Sequence, residues 1–178
     1  MARGYSASGL ACGIKKNGAP DLALVFSELP ARAAGVFTTN KVKAAPVIIS
    51  QERVKGAVTR AVIINSGNAN ACVGEEGLSA ARAISQSVAE SLQIKPEEVL
   101  LASTGVIGVP LPTARIVDAI PALVSRLSTA GGTAAAQAIM TTDTYTKEWA
   151  IELQSGIRIG GMAKGSGMIQ PNMATLLS

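Results

Sequence analysis

Residues 61–102, AVIINSGNANACVGEEGLSAARAISQSVAESLQIKPEEVLLA, contain two short apolar runs joined by a longer amphipathic segment. The runs at 61–65 and 99–102 are aliphatic and bounded by polar or turn residues, which predicts two buried strands. Between them, apolar residues recur every third or fourth position, as in a helix packed on one face: Leu78, Ala81, Ile84, Val88 and Leu92. Glu75 and Glu76 suit the positive N-terminal end of that helix.

The same patterns predict further elements on both sides of this region. Strands are predicted at residues 22–26, 35–39 and 46–50, and a closing hairpin at 148–154 and 157–162 around a Ser155-Gly156 turn. Helices are predicted from Ile116 to Leu127, with Thr113 as N-cap and Pro121 as a kink or break, and at 134–140. Strands, then helices, then strands favour a layered α/β (α+β) architecture over regular βαβ alternation, in one domain spanning residues 1–178.

The composition of the chain narrows its function class. Of 178 residues, 48% are hydrophobic but only 3% are aromatic, so the core must be aliphatic. The net charge of +4 comes without a Lys/Arg cluster interleaved with aromatics, which argues against nucleic-acid binding. No apolar run approaches the ~18 residues of a membrane span, and the N-terminus shows no secretory apolar region. We therefore predict a cytoplasmic protein with neither a membrane nor a nucleic-acid partner.

Histidine is absent from the chain, which excludes Ser-His-Asp and Cys-His catalysis, and histidine-ligated metals, within it. The two cysteines, Cys12 and Cys72, are too few and too far apart for a disulfide framework or a zinc site. Lys164 precedes the following glycines, whereas the lysine of a phosphate-binding P-loop comes after the second glycine. No metal is expected, and any nucleophile must find a base other than imidazole.

Three segments rich in Gly, Ser, Thr and Asn follow predicted strands or helices, at residues 65–71, 103–108 and 141–144. Such loops commonly grip the polar groups of a ligand. The same residue types also form turns and helix caps, so composition alone leaves both interpretations open. Asp143 could likewise orient neighbouring hydroxyls or complete a turn.

The segment GGMAKGSGMIQPNMAT, residues 160–175, closely resembles the signature of the ornithine acetyltransferase (glutamate N-acetyltransferase) family. The resemblance extends through residues 65–71, 103–108 and 139–144, in the order in which the family has them. It implies an αββα-type sandwich like that of N-terminal-nucleophile enzymes. It also implies a place in arginine biosynthesis.

By this resemblance, residues 1–178 hold the alpha chain of a self-cleaving precursor. The cut is expected between Ala174 and Thr175, although the sequence runs on to Ser178. A downstream beta chain would complete the site in an α2β2 heterotetramer. Cleavage would give Thr175 a free α-amine with a pKa of about 7.7–8.0, which can serve as its base and accounts for the missing histidine.

The resemblance also implies the reaction and the residues that perform it. Thr175 would take the acetyl group from N-acetylornithine as an acetyl-threonine and pass it to glutamate. The Thr104 hydroxyl and the Gly105 backbone N–H would stabilise the oxyanion, and a glycine at 105 would let backbone approach the ligand closely. Thr141 and Lys164 would contact substrate, with Lys164 pairing the α-carboxylate that both amino acids share. No bound cofactor is required; acetyl-CoA would be a donor only in a bifunctional enzyme.

Two other functions remain compatible with the sequence. One is an N-terminal-nucleophile aminopeptidase of the same fold, which would use the same threonine to cleave peptides. The other is a non-enzymatic domain in which Lys164 and the threonines hold an anion without turnover. Transfer and hydrolysis assays distinguish the first from the acetyltransferase, and an uncut full-length polypeptide would favour the second.

Overall fold

The fold is that of a computed structural model, which describes residues 2–56, 58–165 and 176–178. Its strands are β1 (Tyr5–Leu10), β2 (Leu22–Ala31), β3 (Thr59–Asn68), β4 (Val99–Val106), β5 (Lys147–Glu152) and β6 (Arg158–Ala163). Its helices are α1 (Ala45–Arg53), α2 (Gly74–Leu92), α3 (Thr113–Ser125) and α4 (Gly132–Ile139), with a short 3-10 turn at Pro96–Glu98. Among the described residues, no helix combines the length and the apolar character needed to cross a membrane.

Four of the strands form one sheet in the order β1-β2-β3-β4. The first three run antiparallel, whereas β3 and β4 are parallel and are connected through α2. Parallel neighbours need such a crossover, so residues 61–102 form the βαβ unit that places two strand ends side by side. The remaining strands, β5 and β6, pair as an antiparallel hairpin, as predicted. The mixed α/β fold is thus confirmed.

Both faces of the four-stranded sheet are covered. On one face, strand residues such as Leu24, Ile63 and Leu101 belong to a buried cluster with residues of α1, α2 and α3. On the other, alternate strand residues pack against α4 through small side chains. A Cβ at Gly9 of β1 would overlap the carbonyl oxygen of Ala134 in α4. Gly9 and the alanines of this face therefore allow α4 to lie close to the sheet.

Two of the predicted strands are wrong. Residues 35–39 lie outside every helix and strand, and Val36 is 82% exposed, so this run is not buried. Residues 46–50 lie within α1. Pro46 stands in the first helical turn, where its missing N–H breaks no hydrogen bond, and Ile49 is buried while Ile48 is 44% exposed. The β-branched residues of this run favour a strand, but burial of only one side of the segment is typical of a helix on the protein surface. Strand β1 was not predicted.

The predicted boundaries of the third helix also need correction. The N-cap of α3 is Pro112, and Thr113 is its first helical residue, with no side-chain cap. The Thr113 hydroxyl donates instead to the carbonyl oxygen of Leu111 at 3.2 Å. Pro121 lies inside the helix, which continues through it to Ser125. The proline therefore does not divide the helix.

A buried carboxylate fixes the loop between β1 and β2. The side chain of Asp21 accepts the backbone N–H groups of Cys12, Ile14 and Lys15 at 2.7, 2.7 and 2.9 Å. Asp21 is fully buried, and its backbone carbonyl accepts the N–H of Ser66 at 2.8 Å. These bonds hold Ile14 and Lys15 over the end of β3.

We expect Asp21→Asn to lower the free energy of unfolding by about 2–3 kcal/mol, because an amide N–H would then face a backbone N–H donor in a buried place. Chemical denaturation of the full-length protein measures the loss. Asp118→Asn, on the exposed side of α3, is the matched control and should stay within about 0.5 kcal/mol. Equal effects of the two substitutions would contradict the role given to Asp21.

Candidate active site

The parallel strands β3 and β4 end at the same edge of the sheet, and their last residues are unusually close. Gly67 pairs with Gly105, and the register slips at Asn68, which faces both Thr104 and Val106. Both glycines have positive φ, 101° and 137°. A Cβ at Gly105 would overlap the carbonyl carbon of Gly67 and lie 2.5 Å from the Asn68 nitrogen. The close neighbour that requires glycine here is thus the backbone of β3.

The loops that follow these strands are tied together by side-chain amides. Ser103 Oγ donates to Asn65 Oδ1 at 2.5 Å, and Asn65 Nδ2 donates to the carbonyl oxygen of Asn68 at 2.8 Å. Asn68 in turn accepts the N–H of Asn70 at 2.7 Å and donates to the carbonyl oxygen of Val109 at 3.0 Å. For residues 65–70, these contacts correspond to turn and capping chemistry. They also fix the backbone around Thr104 and Gly105.

Thr104 and Lys164 meet at this edge. Lys164 Nζ donates to Thr104 Oγ1 at 2.9 Å, and the two residues are 2% and 1% exposed, respectively. A hydroxyl has one donor and two acceptor positions, so accepting from Lys164 leaves the Thr104 hydrogen to point at another atom. The arrangement places a cation directly behind a hydroxyl donor in a buried setting.

The charge of Lys164 is set by its surroundings. Burial lowers the pKa of its ammonium group below the ordinary lysine value, because removal from water disfavours the charged form. The carboxylate of Asp143 acts in the opposite direction, and the cations Lys15 and Lys147 lower the pKa further. Asp143 is therefore the group that opposes loss of the Lys164 charge.

Asp143 lies in the loop between α4 and β5, with its side chain fully buried. Its Oδ1 accepts Lys147 Nζ at 2.5 Å and the backbone N–H of Gly165 at 2.8 Å, and its Oδ2 accepts the backbone N–H of Thr141 at 3.3 Å. Burial alone would raise the pKa of this carboxyl group. The hydrogen bonds and the charge of Lys147 outweigh burial and lower the pKa to about 2.

The backbone of Lys164 pairs with the C-terminal residues. Lys164 N–H donates to the carbonyl oxygen of Leu177 at 2.9 Å, and Leu177 N–H donates back at 3.4 Å. A Cβ at Gly165, whose φ is 141°, would lie 2.9 Å from Leu176 Cδ1. Residues 165 and 176, which flank the segment 166–175, therefore lie together beside Lys164.

The structure brings together three of the predicted site residues, Thr104, Gly105 and Lys164. The fourth, Thr141, has an exposed side chain and is connected to this group through Asp143. The predicted nucleophile Thr175 and its neighbour Ala174 lie outside the described residues. Within the part of the chain that the structure describes, no group of three His, Cys, Asp or Glu side chains could hold a metal ion.

Sequence reasoning did not predict Lys15 or Lys147 near the site. Lys15 Nζ donates to the carbonyl oxygen of Pro20 at 2.6 Å. Burial lowers the pKa of Lys15 below the ordinary lysine value, and the carboxylates of Asp21 and Asp143 oppose part of this lowering. Neither lysine belongs to a motif, and each reaches the site only through the folding of its loop or strand. The sequence therefore contained no signal for them.

Comparison with known proteins gives the family. A model of the ArgJ family matches residues 6–178. The arginine biosynthesis bifunctional proteins ArgJ of Thermosynechococcus vestitus and Caldanaerobacter subterraneus subsp. tengcongensis are 53% and 51% identical over 99% and 100% of the chain. The matches cover 43% and 45% of these relatives, so the chain spans less than half of their length.

Solved structures agree in fold. The ornithine acetyltransferase of Mycobacterium tuberculosis, complexed with ornithine, is 44% identical with a TM-score of 0.92, covering 96% of this chain and 93% of that one. The bifunctional protein argJ of Bacillus halodurans is 41% identical with a TM-score of 0.88, covering 97% and 92%. Together with the match over residues 6–178, these likenesses bear out the resemblance of residues 160–175: the chain belongs to the ArgJ family.

Proposed function

We propose that this chain is the N-terminal part of an acetyltransferase that moves an acetyl group from N-acetylornithine to glutamate in arginine biosynthesis. The observation that carries the proposal is the buried contact of Lys164 Nζ with Thr104 Oγ1, beside the Gly67–Gly105 pair. Family membership supports it, as does the 44% identity with an enzyme solved with ornithine bound. Since the chain spans less than half of its curated relatives, the activity belongs to the whole protein.

The oxyanion of acyl transfer would be stabilised at the end of β4. The Thr104 hydroxyl and the Gly105 backbone N–H are the donors, and both are held in place by the loops around them. Lys164 donates to the Thr104 oxygen, which polarises that hydroxyl toward donation. In a buried site such preorganised donors act more strongly than in water, and removal of one typically slows the reaction by ~10²–10³-fold.

The nucleophile in this proposal is Thr175. Its hydroxyl oxygen first attacks the carbonyl carbon of Ala174, and the peptide nitrogen takes up a proton as the amide becomes an ester. This step already frees the α-amine of Thr175, and water then opens the ester to release the Thr175 hydroxyl and the carboxylate of Ala174. That amine is the base of the mature enzyme, because the chain offers no imidazole.

One observation supports cleavage at this place. The chain covers 93% and 92% of the matched chains in the two solved relatives, yet less than half of the curated ones. The solved chains are thus about as long as this one, as separate alpha chains would be. We further propose that the remaining segment forms a beta chain in a cytoplasmic α2β2 assembly.

The mature cycle has two halves. Thr175 Oγ attacks the acetyl carbonyl of N-acetylornithine, ornithine leaves with its α-amine, and the acetyl-threonine remains. The α-amine of glutamate then attacks this ester and regenerates Thr175. Lys164 pairs the α-carboxylate in both halves and Thr141 contacts the same substrates. Acetyl-CoA would acylate Thr175 in place of N-acetylornithine if this protein, like the relatives named bifunctional, has a second activity. The cycle needs no resident cofactor.

Intact-mass spectrometry of the full-length protein tests the proposal, combined with an assay of acetyl transfer. We expect two polypeptides, the second beginning at Thr175, and transfer from N-acetylornithine to glutamate. A single uncut polypeptide with full activity would contradict the mechanism. Hydrolysis of small peptide amides without acetyl transfer would identify an aminopeptidase.

A further inference from the structure

Asp143 has no part in the proposed cycle, yet its side chain accepts three hydrogen bonds, from Lys147 Nζ and from the backbone N–H groups of Thr141 and Gly165. A carboxylate that only completed a turn would need the Thr141 N–H alone. The bond from Gly165 N–H to Asp143 Oδ1 spans 22 residues and reaches the backbone directly after Lys164. Asp143 therefore joins the loop after α4 to the segment after β6.

This connection runs through to the end of β4. Gly165 adjoins Lys164 in the chain, and Lys164 reaches Thr104 with its ammonium group. One series of contacts thus connects the loop of Thr141, the backbone of Lys164 and the hydroxyl of Thr104.

Asp143 is also the carboxylate among three lysines. Lys147 contacts it directly, and Lys15 and Lys164 interact with it electrostatically. Lys15 faces a second carboxylate, Asp21, whereas Asp143 is the acidic group that acts on Lys164. Three cations around one site repel each other, and a fixed negative charge among them offsets that repulsion.

We propose that Asp143 is a positioning residue of the substrate site, which fixes the Thr141 loop against Lys164 and keeps the Lys164 ammonium group in place as a cation. The inference rests on the proposed function, because it assumes that both side chains contact substrate. The Asp143 carboxylate would act in two ways that can be tested separately: its hydrogen bonds align the backbone, and its charge stabilises the Lys164 cation.

Steady-state kinetics of Asp143→Asn and Lys147→Met, in the full-length protein, test both effects. Asp143→Asn keeps the size of the side chain but places amide hydrogens against backbone N–H donors. We expect it to raise the KM for N-acetylornithine and for glutamate by about tenfold, with a smaller change in kcat. Lys147→Met leaves both backbone bonds of Asp143 in place, so its KM should change less.

The pH dependence of kcat/KM separates positioning from simple loosening of the fold. Removal of the Asp143 charge lowers the pKa of Lys164, so the alkaline limb of the profile should move to lower pH. Removal of the Lys147 cation raises the pKa of Lys164, so the same limb should move to higher pH. A general loss of structure would shift the two variants in the same direction.

Glu148→Gln is the matched control, since Glu148 is exposed and bonds only to Thr133 in the contacts described, at 2.8 Å. It should leave KM and the pH profile unchanged. If the wild-type protein is active and Asp143→Asn has the same KM and the same pH profile of kcat/KM, the inference is overturned and the proposed function is not. If the wild-type protein is inactive, the proposed function is overturned as well. If Asp143→Asn yields no folded protein, an unshifted alkaline limb in Lys147→Met overturns the inference.

Discussion

Thr175→Ala in the full-length protein is expected to leave the polypeptide uncut and to abolish acetyl transfer. Alanine lacks the hydroxyl oxygen that would attack the Ala174 carbonyl, so neither the ester nor the free α-amine could form. Loss of a nucleophile and its base together corresponds to a fall of about 10⁴-fold or more in kcat. Intact mass and the transfer assay, on the same preparation, measure the two consequences.

Thr175→Ser is the control for this prediction. It keeps a hydroxyl on the same atom of the chain and would carry the same α-amine after cleavage, so both cleavage and transfer should persist at reduced rate. A Thr175→Ala protein that is cut at the usual position, or that transfers acetyl groups at a rate near that of the wild type, would rule out the nucleophile.

Gly105→Ala has the second largest expected effect. The added Cβ would overlap the backbone of Gly67, and the φ of 137° is strained for any side chain. β3 and β4 would have to separate at the point where the proposed oxyanion donors, Thr104 and Gly105, lie. We expect kcat to fall by about 10²–10³-fold, with a lower melting temperature.

Gly161→Ala provides the comparison for this substitution. A Cβ at Gly161, in β6, would meet no atom within 4 Å, and its φ lies outside the range that favours glycine. It should retain cleavage, transfer and melting temperature. If Gly105→Ala behaves like Gly161→Ala, then the close pairing of β3 and β4 does not position the oxyanion donors.

The fold was predictable where a long periodic pattern agreed with local chemistry. Helix α2 spans 19 residues, enough for its apolar repeat to exclude a strand. Helix α1 has nine residues, and its β-branched run resembled a strand until burial showed which side faces the sheet. Strand β1 has six residues, and its four central residues, 6–9, are the small types Ser, Ala and Gly, which give a weak strand signal. Its position depends on pairing with β2.

The residues of the candidate site also fall into those that the sequence predicted and those that it did not. Thr104, Gly105 and Lys164 could be named from the resemblance of short motifs, although Lys164 lies 60 residues from the hydroxyl it contacts. Asp143 was visible in the sequence, but its interpretation stayed open because its decisive partner, Gly165, is 22 residues away. Lys15 approaches through a loop shaped by Asp21, which no periodicity or motif encodes.

Lys164 is held at both ends, by Leu177 at its backbone and by Thr104 at its ammonium group. Most lysine side chains lose rotational freedom only when they bind a ligand. The Lys164 side chain is already held before a ligand binds. In the proposed function, this fixed ammonium group would pair the α-carboxylate of either amino acid and hold the α-nitrogen at one point. It would therefore not discriminate ornithine from glutamate, and discrimination would depend on residues that contact the ends of their side chains.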